Sequence, residues 1–237
     1  MANKPVLSSQ QQSAFNNALQ TGIQEKDMDV IRLALDNGAE PNLLLFAGIS
    51  YKPTLKDKFS LEGSRGLEWV KTAVDAGADV RATKKDGKGV DWEAIHWAQS
   101  NFDPEISDFL IGKGALVDKL SPYNDTPLMN AVTGGRQEEI RYYLDRGADP
   151  MCICGENKDT FPLKALQASD KFKPAVKKDL LLCMMQKAKD RAATATEAEA
   201  SQPADKAGTE GIEICKPLRL KHAEESGIKK ISKIFSL

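Results

Sequence analysis

Apolar positions recur at helical spacing along the chain and predict a succession of short helices. Ala34 with Leu35, Ala73 with Val74, Leu110 with Ile111, and Tyr143 with Leu144 form four such pairs, and Ile31, Val70, Ile106 and Ile140 stand about one turn before them. Each set makes a single apolar stripe on a helix of period 3.6. A Gly-Ala dipeptide follows every set at the same offset: Gly38-Ala39, Gly77-Ala78, Gly114-Ala115 and Gly147-Ala148. Glycine takes the left-handed backbone conformation without a steric penalty, so each dipeptide predicts a helix stop. The glycines lie 39, 37 and 33 residues apart, a period that predicts stacked units of one design.

A second helix precedes each of these, most plainly at Thr126 to Gly135. The Thr126 hydroxyl can cap it, Pro127 at the first helical position gives up no intrahelical bond, and Gly135 ends it. The unit is therefore turn, helix, tight turn, helix, glycine stop, and the fold class is all-α. The unit between Asn42 and Gly77 is the least regular. Its second helix starts near Leu67, its first is placed somewhere in Thr54 to Glu62, and the apolar run Leu43 to Ile49 is expected to fold back onto the stack, as a loop or as extra helix. A fifth unit begins at Phe161-Pro162-Leu163 and continues through Val176 to Lys187 without a Gly-Ala stop, as a terminal unit with a more polar outer face does.

Thr126-Pro127-Leu128 through Gly147-Ala148-Asp149 resembles the signature of an ankyrin repeat. Ala94 to Ala98 with Gly114-Ala115 resembles it too, with His96 at the family's structural histidine position, and Ser13 to Leu19 with Gly38-Ala39 resembles it more loosely. The chain is identified on these residues as a member of the ankyrin-repeat family. The resemblance implies a solenoid of about five helix-turn-helix repeats over residues 10–189. It also implies a concave surface of loops and first helices on which another protein binds. Aligned to the family pattern, the partner-binding candidates are Lys84, Lys85, Trp92, Ser100, Asn101, Leu120, Tyr123, Asn124, Thr133, Met151 and Ile153.

From Asp190 the composition shifts to Ala, Thr, Glu, Ser and Gln, which predicts a flexible linker because too little apolar surface is available to offset the ordering entropy. Ile228, Ile231, Ile234 and Phe235 then share one face of a short segment with lysines opposite, so membrane contact is expected only through 228–237. Glu224-Glu225 is similar to the C-terminal translocation signals of bacterial effectors, which adds the expectation of an effector acting on a host protein, delivered to the host cytosol.

Composition removes several classes. No stretch approaches the roughly 18 apolar residues of a bilayer span. Residues 1–9 lack the apolar run of a secretory signal. Net charge is -1 over 237 residues, and the basic run Arg81 to Lys88 is interrupted by acids, so nucleic acid is not an expected partner. The four cysteines are too sparse for a disulfide scaffold and suit a reducing compartment. No phosphate loop, nucleophile elbow or zinc-protease motif is present. The chain is thus expected to be a monomeric, cytoplasmic, non-catalytic adaptor without a cofactor. The alternative is an enzyme or metal-binding subunit using the Cys152-Ile153-Cys154 loop.

Overall fold

A computed structural model describes residues 7–52, 65–155 and 160–201, with side chains described through residue 192. The chain divides into two units, 1–116 and 117–237, and each is taken by itself.

In the first unit, α1 (Ser9–Glu25) opens on a capping box. Ser8 Oγ accepts the Gln11 N–H at 3.3 Å, and Gln11 Oε1 accepts the Ser8 N–H at 3.0 Å. α2 (Met28–Asp36) is capped by Asp27. α3 (Pro41–Ile49) starts with proline at its first turn, and α4 (Arg65–Asp75) packs against it. The strands β1 (Thr83–Lys85) and β2 (Asp91–Glu93) form an antiparallel hairpin, with Lys84 opposite Trp92. α5 (Ala94–Asn101) follows directly, and Asp103 and Pro104 start α6 (Pro104–Gly112). α1 packs on α3 and α3 on α5, while α4 packs on α6. Leu19, Ile31, Leu44, Leu45, Ile49, Val70, Ile95, Ile106 and Leu110 make the core between these layers.

The run Leu43 to Ile49 folds onto the core, as expected of it. It is helix, and Leu44, Leu45, Phe46 and Ile49 are buried. α4 packs directly on it. The placement of the unit's first helix at 54–62 falls outside the described residues. Two glycines permit the close packing of this pair. A Cβ at Gly48 would meet the Gly66 carbonyl at 2.7 Å, and one at Gly66 would meet the Gly48 carbonyl at 2.8 Å.

In the second unit, α7 (Pro127–Gly134) pairs with α8 (Gln137–Asp145), and α9 (Pro162–Ala168) with α10 (Pro174–Ser201). α9 packs on α7 and α10 on α8. Thr126 Oγ1 accepts the Met129 N–H at 3.1 Å, and Gly135 ends α7 in the left-handed conformation. Leu128, Val132, Ile140, Tyr143, Leu144, Leu166, Leu180 and Met184 are buried. α10 continues past Asp190, where a linker was expected, to Ser201. Alanine and glutamate dominate that stretch, and their helix propensity offsets its lack of apolar positions.

The four Gly-Ala stops are built alike. Gly38, Gly77, Gly114 and Gly147 have φ of 101°, 100°, 102° and 84°. Each glycine N–H bonds back three residues, and each alanine N–H bonds back five, as from Ala39 to the Ala34 carbonyl at 2.9 Å and from Ala148 to the Tyr143 carbonyl at 3.0 Å. This is the Schellman pattern. Among the described residues the architecture is mostly helical, with the hairpin as an addition to the expected all-α class.

Candidate functional site

The predicted binding residues fall into two sets, one in each unit. In the first unit the hairpin carries Lys84, Lys85 and Trp92. Asp86 shapes its tip: Oδ1 accepts the Lys88 and Val90 N–H groups at 2.8 and 3.0 Å, and Oδ2 accepts Trp92 Nε1–H at 3.1 Å. The Val90 N–H leads in holding the Asp86 carboxyl below its ordinary pKa, since hydrogen bonds to the ionised form favour it. Trp92 is thereby pinned, and its ring stands edge-on to His96 at 5.9 Å. Lys85 pairs with Asp91 at 2.8 Å. Lys84 is exposed and places its ammonium over two rings, Phe46 at 5.7 Å and Trp97 at 5.4 Å.

Ser100 and Asn101 close α5. Ser100 Oγ donates to the His96 carbonyl at 3.1 Å, and Asn101 Nδ2 donates to the Ile49 carbonyl at 2.9 Å, which joins the ends of α5 and α3. Asn101 thus has a structural bond whatever else it touches. His96 itself is buried.

In the second unit the turn at 121–125 is organised by Ser121, whose Oγ accepts the Tyr123 and Asp125 N–H groups at 3.2 and 3.1 Å. Tyr123 projects from this turn with 43% of its surface exposed. Asn124 takes a left-handed φ of 59°, and its carbonyl accepts the Gly155 N–H at 2.9 Å, which draws the Ile153 loop alongside. Leu120 and Ile153 are half-buried. Thr133 is exposed at the end of α7, with its hydroxyl on the Met129 carbonyl at 3.1 Å and its own carbonyl bonded by Lys171 Nζ. Met151 is only 8% exposed, so its thioether lies in the core and not at the surface.

Three features of these sites escape the sequence pattern. Phe46 and Trp97 come to Lys84 from α3 and α5. Asp86 and Ser121 organise the two tips, and only Asp86-Gly87, a hairpin-turn dipeptide, carried a signal. The third is a buried pair of carboxylates, Asp118 and Asp149, with Arg191 Nη1 and Nε 3.9 Å from them.

The Cys152 to Cys154 loop is a poor site for chemistry. Both residues are buried, and Cys154 Sγ donates to the Cys152 carbonyl at 2.9 Å. Burial pushes the Cys154 thiol up to about 11, so it stays protonated at neutral pH, whereas nucleophile and metal ligand are the thiolate. Among the described residues no group of three or more His, Cys, Asp or Glu is placed to hold a metal ion.

No family model matches the chain. Among curated proteins it is similar to palmitoyltransferase ZDHHC13 of Homo sapiens, 38% identical over 91 residues, which is 38% of this chain and 14% of that protein. It is similar to ZDHHC13 of Mus musculus at 37% identity over 91 residues, with the same shares of 38% and 14%. Palmitoyltransferase ZDHHC17 of Danio rerio is 36% identical over 91 residues, again 38% of this chain and 14% of the relative. The chain therefore spans about 14% of the length of the curated relatives it matches.

These findings correct several expectations. The ankyrin-repeat identification is not upheld, because no family model matches and the relatives are named as palmitoyltransferases. The expectation of a non-catalytic adaptor, and of no enzyme, is overturned by the same names, which denote an acyl-transferring activity. The reading as a translocated effector falls with it. The cytoplasmic and host-cytosol placements are corrected too, since the relatives' named chemistry handles a fatty acyl chain, a group that partitions into membranes. Among the described residues no helix is long and apolar enough to cross a membrane.

Proposed function

We propose that the chain works in palmitoyl transfer, as the part of an acyltransferase that holds the protein receiving the acyl group. The observation that carries this reading is the 91-residue stretch 38% identical to a named palmitoyltransferase. We read the successive helix pairs as turns of a solenoid of about five helix-turn-helix units over residues 10–189, with 190–237 as an appended segment that begins inside α10. The like construction of the Gly38, Gly77, Gly114 and Gly147 stops supports the solenoid.

In the first unit Lys84, Lys85 and Trp92 at the hairpin tip contact the receiving protein, and in the second, taken by itself, Tyr123 and Asn124 at the Ser121 turn offer a contact of their own. Rigid tips suit this task, because side chains already held in place lose little entropy on binding. The protonated Cys154 is unsuited to attack a thioester and Cys152 is disulfide-bonded, so the acyl-bearing nucleophile is assigned outside the Cys152 to Cys154 loop.

The test uses the full chain, a palmitoyl thioester bearing a terminal alkyne, and a cell extract as the source of acceptors. Labelling of extract proteins by the extract's own acyltransferases is read with and without an excess of the chain, and with a Trp92→Ala/Tyr123→Ala variant of unchanged helical content. A part that holds acceptors withdraws them from those enzymes, so labelling is expected to fall with the wild-type chain, and the variant to need at least about tenfold more protein for the same fall, as for loss of two interface anchors. Labelling indifferent to the wild-type chain sinks the proposal. An equal fall with the variant removes the two tips from it.

A further inference from the structure

Lys84 differs from the other lysines of its hairpin in what holds its charge. Lys85 has Asp91 at 2.8 Å, and Lys88 faces Asp86. Among the described residues Lys84 pairs with no carboxylate; its ammonium lies over the rings of Phe46 and Trp97 at 5.7 and 5.4 Å. Both distances fall within the range in which a ring quadrupole attracts a cation. Phe46 keeps only 5% of its surface exposed, at the middle of α3, and Trp97 is half-buried on α5. Two core helices thus hold the aromatic walls, while the cation between them comes from an exposed strand.

We propose that the Phe46 and Trp97 rings form a receiving site for an alkylammonium side chain, a lysine or methylated lysine of a partner protein, which Lys84 occupies as an internal stand-in. The rings sit on packed helices and stay in place, whereas Lys84 reaches them from a two-stranded hairpin whose strands are three residues each. A partner's lysine exchanges with Lys84 by replacing its ring contacts, while Lys84 gains hydration. The occupant already seen there is a four-methylene stem ending in an ammonium, so the site is shaped for that stem. A lipid choline group has the charge but lacks the stem, and so it is the poorer fit. Trp97 Nε1 adds a second signal: it is shielded from solvent and meets no acceptor among the described residues. A main-chain carbonyl arriving with the partner's lysine supplies one. Methylation strengthens such binding, because a less hydrated cation loses less on entering a ring-walled site. This inference goes beyond palmitoyl transfer and does not depend on it, since its test reads binding alone.

Calorimetric titration of the full chain with a short peptide bearing trimethyllysine compares the wild type with Lys84→Ala. Removing the stand-in is expected to tighten binding at least about fivefold, since a site occupied by a competitor has its apparent affinity reduced by the unoccupied fraction. The same peptide carrying the neutral tert-butyl isostere binds at least about tenfold more weakly to Lys84→Ala, because two cation–ring contacts are lost. Trp97→Leu in the Lys84→Ala background abolishes the difference between the charged and neutral peptides. Should Trp97→Leu fail to fold, the charged-against-neutral comparison on Lys84→Ala decides alone. Equal affinity for the two peptides, or no gain on removing Lys84, overturns the site. Capture of phosphatidylcholine vesicles in place of the peptide overturns the assignment to a protein lysine.

Discussion

In the first unit Asn42 Oδ1 accepts the Asp79 N–H at 3.0 Å, and in the second both oxygens of Asp118 accept the Asp149 N–H at 3.0 and 3.1 Å. Each acceptor stands four residues after a stop glycine, and each donor stands two residues after the following Gly-Ala glycine within the same unit. One backbone requirement is thus met once by a neutral amide and once by a carboxylate. The surroundings differ as well: Asn42 is half-buried and Asp79 exposed, while Asp118 and Asp149 are 9% and 6% exposed. Burial pushes the Asp118 carboxyl up to about 6 and the Asp149 charge adds to the rise; the Asp149 N–H and Arg191 act in the opposite direction. A buried carboxylate costs free energy unless hydrogen bonds and a cation compensate it. The second unit draws that cation from α10, where Arg191 also donates to the carbonyl of the stop glycine Gly147.

The largest expected effect comes from making the second tether like the first. The folded-state pKa of Asp118, about 6, lies above its ordinary value of 3.8, so the folded chain binds more protons between those values. Stability therefore falls as pH rises from about 4 to about 6, and the cost persists above that, on the order of 3 kcal/mol at most. Asp118→Asn keeps an oxygen for the Asp149 N–H and removes the charge. Urea midpoints at several pH values are expected to show the variant more stable at pH 7.5, by up to about 3 kcal/mol, with the slope between pH 4 and 6 flattened. Superimposable profiles for variant and wild type would mean that Asp118 is adequately solvated and the contrast with Asn42 is empty.

A smaller effect tests the compensating cation. Arg191 is about half exposed and 3.9 Å from both carboxylates, so water screens much of its attraction and Arg191→Ala is expected to cost about 1 kcal/mol. The informative quantity is the coupling. In the Asp118→Asn background the cost of losing Arg191 should shrink by at least half, and a double-mutant cycle measures the difference. An undiminished cost would show that Arg191 acts through the Gly147 carbonyl and not through the carboxylates.

The sequence reveals these tethers unevenly. The stop glycines are legible because a positive φ needs glycine, and the start of α7 is legible because Thr126 and Pro127 each satisfy a known demand of a helix end. α3 is legible only in part: Leu43 to Ile49 is apolar all round, which marks a buried run, but it lacks the stripe that signals a helix with one wet face. The striped pattern therefore points downstream, to 54–62. The hairpin hides for another reason: three-residue strands are too short to show alternation. Arg191 lies 42 and 73 residues from its two acids. No local pattern spans such separations, and composition at that point argued for a linker. The candidate binding residues were placed by position within a repeat, which fixes the loop but not the rotamer. Position alone therefore could not separate buried Met151 from exposed Tyr123, nor find the rings that hold Lys84.

The smallest effect is the converse exchange, Asn42→Asp. It gives the first unit the carboxylate of the second, so the simplest expectation is the same penalty. The surroundings argue otherwise. Asp79 is exposed, and its Oδ1 accepts the Arg81 N–H at 2.8 Å, so its charge is solvated and partly engaged. A new carboxylate at 42 still accepts the Asp79 N–H, which favours its ionised form, and it meets the Asp79 charge across a water-rich gap. Repulsion of that kind amounts to no more than about 1 kcal/mol at 4 Å in a high dielectric, and salt reduces it. Asn42→Asp is therefore expected to cost less than about 1 kcal/mol at low ionic strength. Most of that cost should vanish at about 1 M salt, where the screening length is near 3 Å. A salt-independent loss of several kcal/mol would mean that the first tether is as dry as the second. Burial, and not the choice between Asn and Asp, would then no longer explain why only one of them requires an arginine.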